Sequence, residues 1–319
     1  MTRISTWVFV VSLAILVASA APTAAKVSGP NGRIVYGVFD PAIEAEYLFT
    51  VNPDGSDVRD LSLISDPGAD KWSPDGSRIL ISDLTTGQPP LRPATINPDG
   101  SGFVRLDATV DPLLHLGCSA WSPDGDRFAC QGFTDEEPSE NNGMYTVRSS
   151  DGGGLLRLTH ARPPGDVPGD YSPDGSRIVF LRSDPSPHAC FECGALFVVN
   201  TDGSGLSRIT PRDFARGTAG SWSPDGRWIL FRDRHGKLYV VHPDGRGLRP
   251  IALHDGPGRS FVDFASWSPD GTRILFSMFW KPNGYQPDLF TARTDGSDLV
   301  QVTDTPEFEH TSDWGPGTG

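Results

Sequence analysis

The sequence contains few positively charged residues. Its 27 lysines and arginines are outnumbered by 40 aspartates and glutamates, which gives a formal charge of −13 at pH 7. Proteins that bind nucleic acids neutralise phosphates with clustered lysine and arginine. The charge balance therefore argues against a nucleic acid or another polyanion as the partner.

Long apolar runs are also scarce, and the one present lies at the N terminus. The stretch Trp7–Val17 is apolar except for one serine, follows a lone arginine and leads into small residues. This pattern is typical of a secretory signal peptide. We expect residues 1–25 to be a signal peptide, cleaved after Ala20 or Ala25, and residues 26–31 to be a short linker. An uncleaved anchor is the alternative, although the run is shorter than the roughly 20 apolar residues that span a bilayer.

No later segment is apolar enough to span a membrane, so we expect an exported protein, extracellular or located in the periplasm or cell envelope. Long helices are disfavoured as well, because 36 glycines and 29 prolines interrupt the chain. Apolar residues make up 37% of the sequence, which is enough for a packed core. The composition thus favours a folded chain rich in turns over a helical bundle or a disordered protein.

An aromatic residue followed by Ser-Pro-Asp-Gly recurs at intervals of 45 to 51 residues. The aromatic anchors are Trp72, Trp121, Tyr171, Trp222 and Trp267, with a truncated copy at Trp314. Each full copy precedes an apolar run, then a second run ending in an Asp-Gly turn, then a third. This period is typical of β-propeller blades. The repeats predict an all-β, six-bladed β-propeller with four-stranded antiparallel blades over residues 32–315 and a tail over 316–319.

The two ends of the chain complement each other. Residues Gly32–Tyr36 copy the strand that normally follows the aromatic motif, but no motif precedes them. The missing piece is at the C terminus. We expect Glu309–Trp314 to supply the innermost strand of the first blade, because pairing both chain ends removes unpaired sheet edges. The closed ring is expected to be a monomer.

The repeated Trp-Ser-Pro-Asp-Gly, followed in most copies by arginine and an apolar run, resembles the repeat of TolB-type β-propellers, which also occurs in prolyl-oligopeptidase-like and tricorn-like proteases. The resemblance extends from about Gly32 to Trp314. It implies a ring that docks a protein or binds a ligand. The N-terminal domain of TolB and the peptidase domain with its G-x-S-x-G motif are both expected to be absent.

The long, divergent segments are expected to share one face of the ring, opposite the short repeat turns, and to carry function there. Residues four to six positions before each aromatic anchor are expected to surround the tunnel mouth. These candidate binding residues, for which ordinary solvated rim positions are the alternative, are His115, Asp166, Arg216, Asp263, Glu309 and His310. A second candidate group, Phe279, Trp280 and Tyr285 with Arg259, has the residue types enriched in binding hot spots. Packing of this insertion on its own blade is the alternative.

Four cysteines in an exported chain suggest disulfides, with three possible connectivities. Cys118 and Cys130 flank one repeat turn symmetrically, so a bridge across adjacent strands is expected, with two small buried side chains as the alternative. Cys190 and Cys193 are interpreted as a local disulfide. A redox pair and half of a zinc site are the alternatives, although the helix start and the four ligands that these need are not evident.

The sequence contains no nucleophile motif, phosphate-binding loop or paired metal motif. We therefore expect a non-catalytic binding module, without cofactor or metal, that docks a protein or a cell-envelope component. The alternative is a lyase or lactonase-like enzyme that binds a metal at the tunnel mouth through His115, Asp263 and His310. That site would require the three side chains to converge on one centre.

Overall fold

The computed structural model describes residues 30–43, 45–65, 70–82, 90–107, 112–135, 140–161, 165–183, 193–216, 219–253, 261–279 and 286–317. Every regular element in these residues is a β-strand, and the strands form six separate antiparallel sheets. The predicted six-bladed propeller is therefore confirmed. No helix in the described part of the chain has the length and apolar character needed to cross a membrane.

Each blade is given from its innermost strand outward. Blade 1 contains β25 (Glu309–Pro316), β1 (Asn31–Asp40), β2 (Ala45–Val51) and β3 (Arg59–Ser65). Blade 2 contains β4 (Lys71–Trp72), β5 (Ile79–Ser82), β6 (Pro93–Ile96) and β7 (Val104–Arg105). Blade 3 contains β8 (His115–Trp121), β9 (Arg127–Phe133), β10 (Gly143–Arg148) and β11 (Leu156–Arg157).

Blade 4 contains β12 (Asp166–Tyr171), β13 (Arg177–Ser183), β14 (Cys193–Asn200) and β15 (Ser207–Arg208), and β16 (Ala215–Arg216) also pairs with β14. Blade 5 contains β17 (Ser221–Trp222), β18 (Ile229–Arg232), β19 (Leu238–Val241) and β20 (Arg249–Pro250). Blade 6 contains β21 (Phe261–Trp267), β22 (Arg273–Phe279), β23 (Pro287–Arg293) and β24 (Val300–Gln301).

The two chain ends close the ring as the sequence predicts. Strand β25 pairs with β1 from Val38 opposite Glu309 to Asn31 opposite Pro316. It also contacts the innermost strands of blades 2 and 6, and the six innermost strands contact one another in a closed circle. Closure leaves each blade with a neighbour on both sides, so apolar side chains from adjacent blades pack together. For example, Tyr36 of blade 1 belongs to the same buried cluster as Leu275 of blade 6.

Repeat turns hold the first two strands of blades 2 to 6 in register. In the first full copy, the Ser73 hydroxyl donates to Asp75 Oδ1 (2.6 Å) and accepts from the Arg78 N–H (2.9 Å). The Ser77 N–H donates to the same Asp75 oxygen (3.0 Å). Gly76 has a φ of 71°, a conformation that glycine adopts without steric cost. The motif is thus a hydrogen-bonded turn, which accounts for its repetition without a role in binding.

Two of the aromatic anchors connect neighbouring blades by hydrogen bonds. The indole N–H of Trp121 donates to the Lys71 carbonyl of blade 2, and that of Trp267 donates to the Ser221 carbonyl of blade 5, both at 3.1 Å. Each bond joins the innermost strands of two adjacent blades. The regular spacing of the anchors along the chain therefore brings Trp121 and Trp267 into contact with the preceding blade.

Cys118 and Cys130 form a disulfide between paired positions of β8 and β9, and both side chains are fully buried. The predicted bridge across the repeat turn is confirmed. Cys190 and the side chain of Cys193 lie outside the described residues, so the interpretation of that pair remains a prediction.

The strand order places the repeat turns and Asp-Gly turns on one face and the longer connections on the other. We call these the turn face and the loop face. The loop face includes the starts of β8, β12, β21 and β25. Five described candidate residues lie at or near these strand starts, namely His115, Asp166, Asp263, Glu309 and His310.

Candidate functional site

An open pocket of about 560 Å³ lies on the loop face between blades 6 and 1. The end of β1, the segment that precedes β23 and the connection from β24 to β25 converge there. The lining is mostly apolar, with two aromatic rings and two prolines. The described lining residues are Phe39, Pro41, Gln286, Pro306, Glu307, Phe308 and His310. Pockets of this kind, with a few polar groups among apolar walls, are typical of binding sites.

His310 is the central ring of an aromatic cluster at this pocket. Its centroid lies 4.8 Å from that of Phe308, 5.4 Å from that of Phe264 and 6.2 Å from that of Phe39. The candidate residue Phe279 extends the cluster, because its ring lies 5.4 Å from that of Phe308. The structure therefore brings the candidates His310 and Phe279 into one aromatic surface.

A β-bulge directs Phe264 into this cluster. The pairing of β21 with β22 shifts between Asp263 and Ala265, which places Phe264 in the bulge. Its φ is 38°, which is unusual for a residue other than glycine. Bulges re-aim side chains and occur often near functional sites. The sequence did not reveal this bulge.

Glu46 fixes the orientation of the His310 ring. The Glu46 carboxylate is fully buried, and its Oε1 lies 2.6 Å from His310 Nδ1. The two residues reach each other across Gly37 of β1, which pairs directly with His310. A Cβ at position 37 would lie 1.8 Å from Glu46 Oε2, so the contact requires glycine. The charged residue within β2 and the glycine within β1 were the only sequence signals for this pair.

Glu309, the residue before His310, is almost completely buried on the side of blade 6. Its carboxyl group accepts hydrogen bonds from the hydroxyls of Thr303 and Thr305. Burial raises the pKa of Glu309 to about 7, in spite of these hydrogen bonds, and the nearby acids Asp288 and Glu307 add to the rise. This carboxyl group therefore titrates near neutral pH.

Asp166 and Asp263 are both paired with arginines of their own chain. Asp166 is fully buried and accepts two hydrogen bonds from Arg182, at 2.7 and 2.6 Å. Asp263 lies 2.8 Å from the Arg232 guanidinium. These pairs connect strands within and between blades, so both carboxylates have a structural contact that sequence analysis did not anticipate.

His115 and Arg216 lie apart from the pocket, in blades 3 and 4. His115 Nδ1 accepts from the Leu91 N–H (3.1 Å), its Nε2 lies 3.3 Å from Asp135, and its ring stacks on Phe133. Arg216 pairs through its backbone with Cys193. His115 begins the innermost strand of blade 3 and Arg216 ends β16 of blade 4, so both belong to blades other than those that form the aromatic cluster.

The remaining candidates Arg259, Trp280 and Tyr285 lie outside the described residues. Within the described ranges, no group of three or more His, Cys, Asp or Glu side chains is arranged to hold a metal ion. His115, Asp263 and His310, the three residues of the metal-site alternative, belong to blades 3, 6 and 1 and contact Asp135, Arg232 and Glu46 respectively.

Sequence analysis missed Phe39, Pro41, Gln286, Pro306, Glu307 and Phe308, which complete the pocket. Phe39 and Pro41 lie three and five residues beyond the copied strand segment, and the other four lie within three residues of candidates already identified. Their position beside Tyr285 and Glu309 was the available signal.

Comparison with known proteins gives relatives that are similar in sequence. An uncharacterized protein of Agrobacterium fabrum is 28% identical over 74% of this chain and 82% of its own length. The uncharacterized peptidase YuxL of Bacillus subtilis is 31% identical over 34% of this chain, but the match spans only 16% of that relative.

Solved structures are similar in fold. TolB from Acinetobacter baumannii superimposes with a TM-score of 0.62 at 18% identity, over 89% of this chain and 65% of that one. An oligogalacturonate lyase in complex with manganese gives a TM-score of 0.54 at 12% identity, over 81% of this chain and 70% of the lyase. The family model of the TolB beta propeller domain matches residues 31–318. With the closed six-bladed ring, this match shows that the chain belongs to the TolB beta propeller domain family.

Proposed function

We propose that this protein is an exported, monomeric and non-catalytic binding module that docks a protein of the cell envelope at the pocket between blades 6 and 1. The observation that carries the proposal is the aromatic cluster of Phe39, Phe279, Phe308 and His310 around an open pocket on the loop face. Aromatic side chains that can enter a desolvated contact dominate the energetics of many protein interfaces.

Other features of the loop face support the choice of this pocket. The carboxylates of Asp166 and Asp263 are already paired with arginines, and His115 already contacts Asp135. The pocket, in contrast, presents partly exposed rings. A partner that covers these rings would remove apolar surface from water, which favours association by about 25 cal/mol per Å² before the costs of binding are subtracted.

Export is supported by two independent features. The N-terminal segment has the pattern of a signal peptide, with an apolar run followed by small residues. The buried disulfide Cys118–Cys130 is the second feature, because disulfides persist mainly in oxidising compartments outside the cytosol. Both features support a docking event outside the cytoplasm.

Capture from an envelope extract tests this function. The tagged protein is compared with a Phe279→Ala/Phe308→Ala variant, and bound proteins are quantified by mass spectrometry. We expect partners retained by the unmodified protein to be lost by the variant, at least about tenfold, since hot-spot truncations cost 2 kcal/mol or more.

A matched control removes an aromatic ring from the opposite face. Trp228 lies on the turn face of blade 5, where it stacks on His242 at 3.8 Å. Trp228→Ala should retain the same partners, and thermal melting of each variant verifies that the ring is intact. Equal recovery of partners by the double variant and the unmodified protein would contradict the proposal.

A further inference from the structure

We propose that the pocket between blades 6 and 1 accepts a cationic side chain, an arginine guanidinium or a lysine ammonium, from a basic segment of the partner protein. This inference rests on the proposed docking function and names the chemistry that the docking site recognises. Three properties of the pocket support it: its ring faces, its hydrogen-bond acceptors and the charge around it.

Aromatic ring faces line the pocket. Phe39 and Phe308 line the pocket, and both are partly exposed. The face of an aromatic ring carries negative electrostatic potential and attracts a cation within about 6 Å of its centroid. The same chain already uses this contact internally, since the guanidinium of Arg232 lies 5.1 Å from the Phe261 ring and that of Arg182 lies 5.2 Å from the Phe197 ring.

Two polar side chains of the pocket offer acceptor oxygens. Gln286 Oε1 is buried and has no hydrogen-bond partner among the described residues. Glu307 contributes an exposed carboxylate to the rim, and His310 Nδ1 is engaged by Glu46. A buried acceptor without a donor is unfavourable. A rotation of the soft amide torsion of Gln286 would present this oxygen to a donor in the pocket.

A cation matches these acceptors better than other side chains do. Guanidinium offers five N–H donors and ammonium offers three, and neither has an acceptor that would compete. A neutral apolar side chain would leave the Gln286 oxygen unpaired, and an acidic one would face the Glu307 carboxylate. The described lining residues include no lysine or arginine that would repel the incoming charge. The net charge of −13 would also attract a basic segment over longer distances.

Binding of two short peptides tests the inference directly. The probes are acetyl-Gly-Arg-Gly-amide and the same peptide with citrulline, which has nearly the same shape as arginine but no charge. Dissociation constants are measured for the purified protein by NMR titration. We expect the arginine peptide to bind about fivefold more tightly than the citrulline peptide, as an exposed cation–π contact predicts.

Two variants with the same change in charge locate the effect. Glu307→Gln removes the carboxylate of the pocket, and we expect it to reduce the preference for arginine at least twofold. Glu140→Gln removes an exposed carboxylate from the blade 3 connection on the same face, and the preference should be unchanged. Both positions are exposed, so folding is not at risk.

The inference and the docking function fail in different ways. Equal binding of the two peptides, no detectable binding of either, or equal effects of Glu307→Gln and Glu140→Gln would each overturn the cation site. Capture of envelope partners that depends on Phe308 would still stand in that case. Conversely, the pocket could prefer the arginine peptide while partner capture does not depend on Phe308. That result would retain the cation site and refute the docking function.

Discussion

Blades 4 and 1 share a buried contact between an acid and a threonine but neutralise the acid differently. In blade 4, Asp166 at the start of the innermost strand accepts a hydrogen bond from Thr159, and Arg182 on the neighbouring strand pairs with it. In blade 1, Glu309 takes the same place and accepts a hydrogen bond from Thr303.

The difference is the residue opposite the acid. Asp166 pairs in register with Arg182, whereas Glu309 pairs in register with Val38. A buried carboxylate without a cation is costly, so Glu309 holds its proton up to near neutral pH. The comparison shows one departure from the arrangement of blade 4, which lies beside the pocket where β25 and β1 from opposite chain ends meet.

The largest effect is expected from breaking the pair of blade 4. Arg182→Met leaves the fully buried Asp166 without its cation, and removal of one partner of a buried pair costs about 3–5 kcal/mol. Urea unfolding monitored by tryptophan fluorescence measures the loss. The double variant Asp166→Asn/Arg182→Met should recover most of it. A loss below about 1 kcal/mol in Arg182→Met would show that the pair does not neutralise a buried charge.

A smaller, pH-dependent effect is expected from Glu309→Gln in blade 1. The pKa of Glu309 rises from the ordinary 4.5 to about 7 in the folded state, so the folded protein binds one more proton than the unfolded chain between these values. The contribution of Glu309 therefore stabilises the fold fully below pH 4.5 and is lost as the pH rises to 7, by up to about 3 kcal/mol.

Glu309→Gln abolishes this dependence because glutamine does not titrate. Relative to the unmodified protein, the variant should gain stability as the pH rises from 5 to 8, measured by urea unfolding at each pH. A stability difference between the two proteins that stays constant over this range would indicate that Glu309 is ionised throughout.

Much of the fold could be predicted from the sequence because it depends on local signals. The motif that follows Trp121 and Trp267 forms a turn through its own hydrogen bonds, and the spacing between motifs indicates the length of one blade. The bridge Cys118–Cys130 followed from symmetry about one such turn. Ring closure followed from counting strands at the two ends.

The site could be predicted only in part, because it depends on register and on contacts between distant segments. His310 and Glu309 were identified by their position relative to the anchors, and Phe279 by its residue type in a long, divergent segment. Glu46 reaches His310 only because β1 and β2 pair in one register with a glycine between the two side chains. The bulge at Phe264 likewise depends on how β21 meets β22. Neither the Glu46–His310 contact nor the bulge produces a short-range pattern in the sequence.

The central claim is that a partner docks on the loop face between blades 6 and 1. Its most direct test places a photo-crosslinking benzoylphenylalanine at Phe308 in one protein and at Trp228, on the turn face, in another. After irradiation in cells, adducts are resolved by size and identified by mass spectrometry. The account predicts a discrete adduct from position 308 that is absent from position 228, whereas adducts at 228 alone, or none at 308, would contradict it.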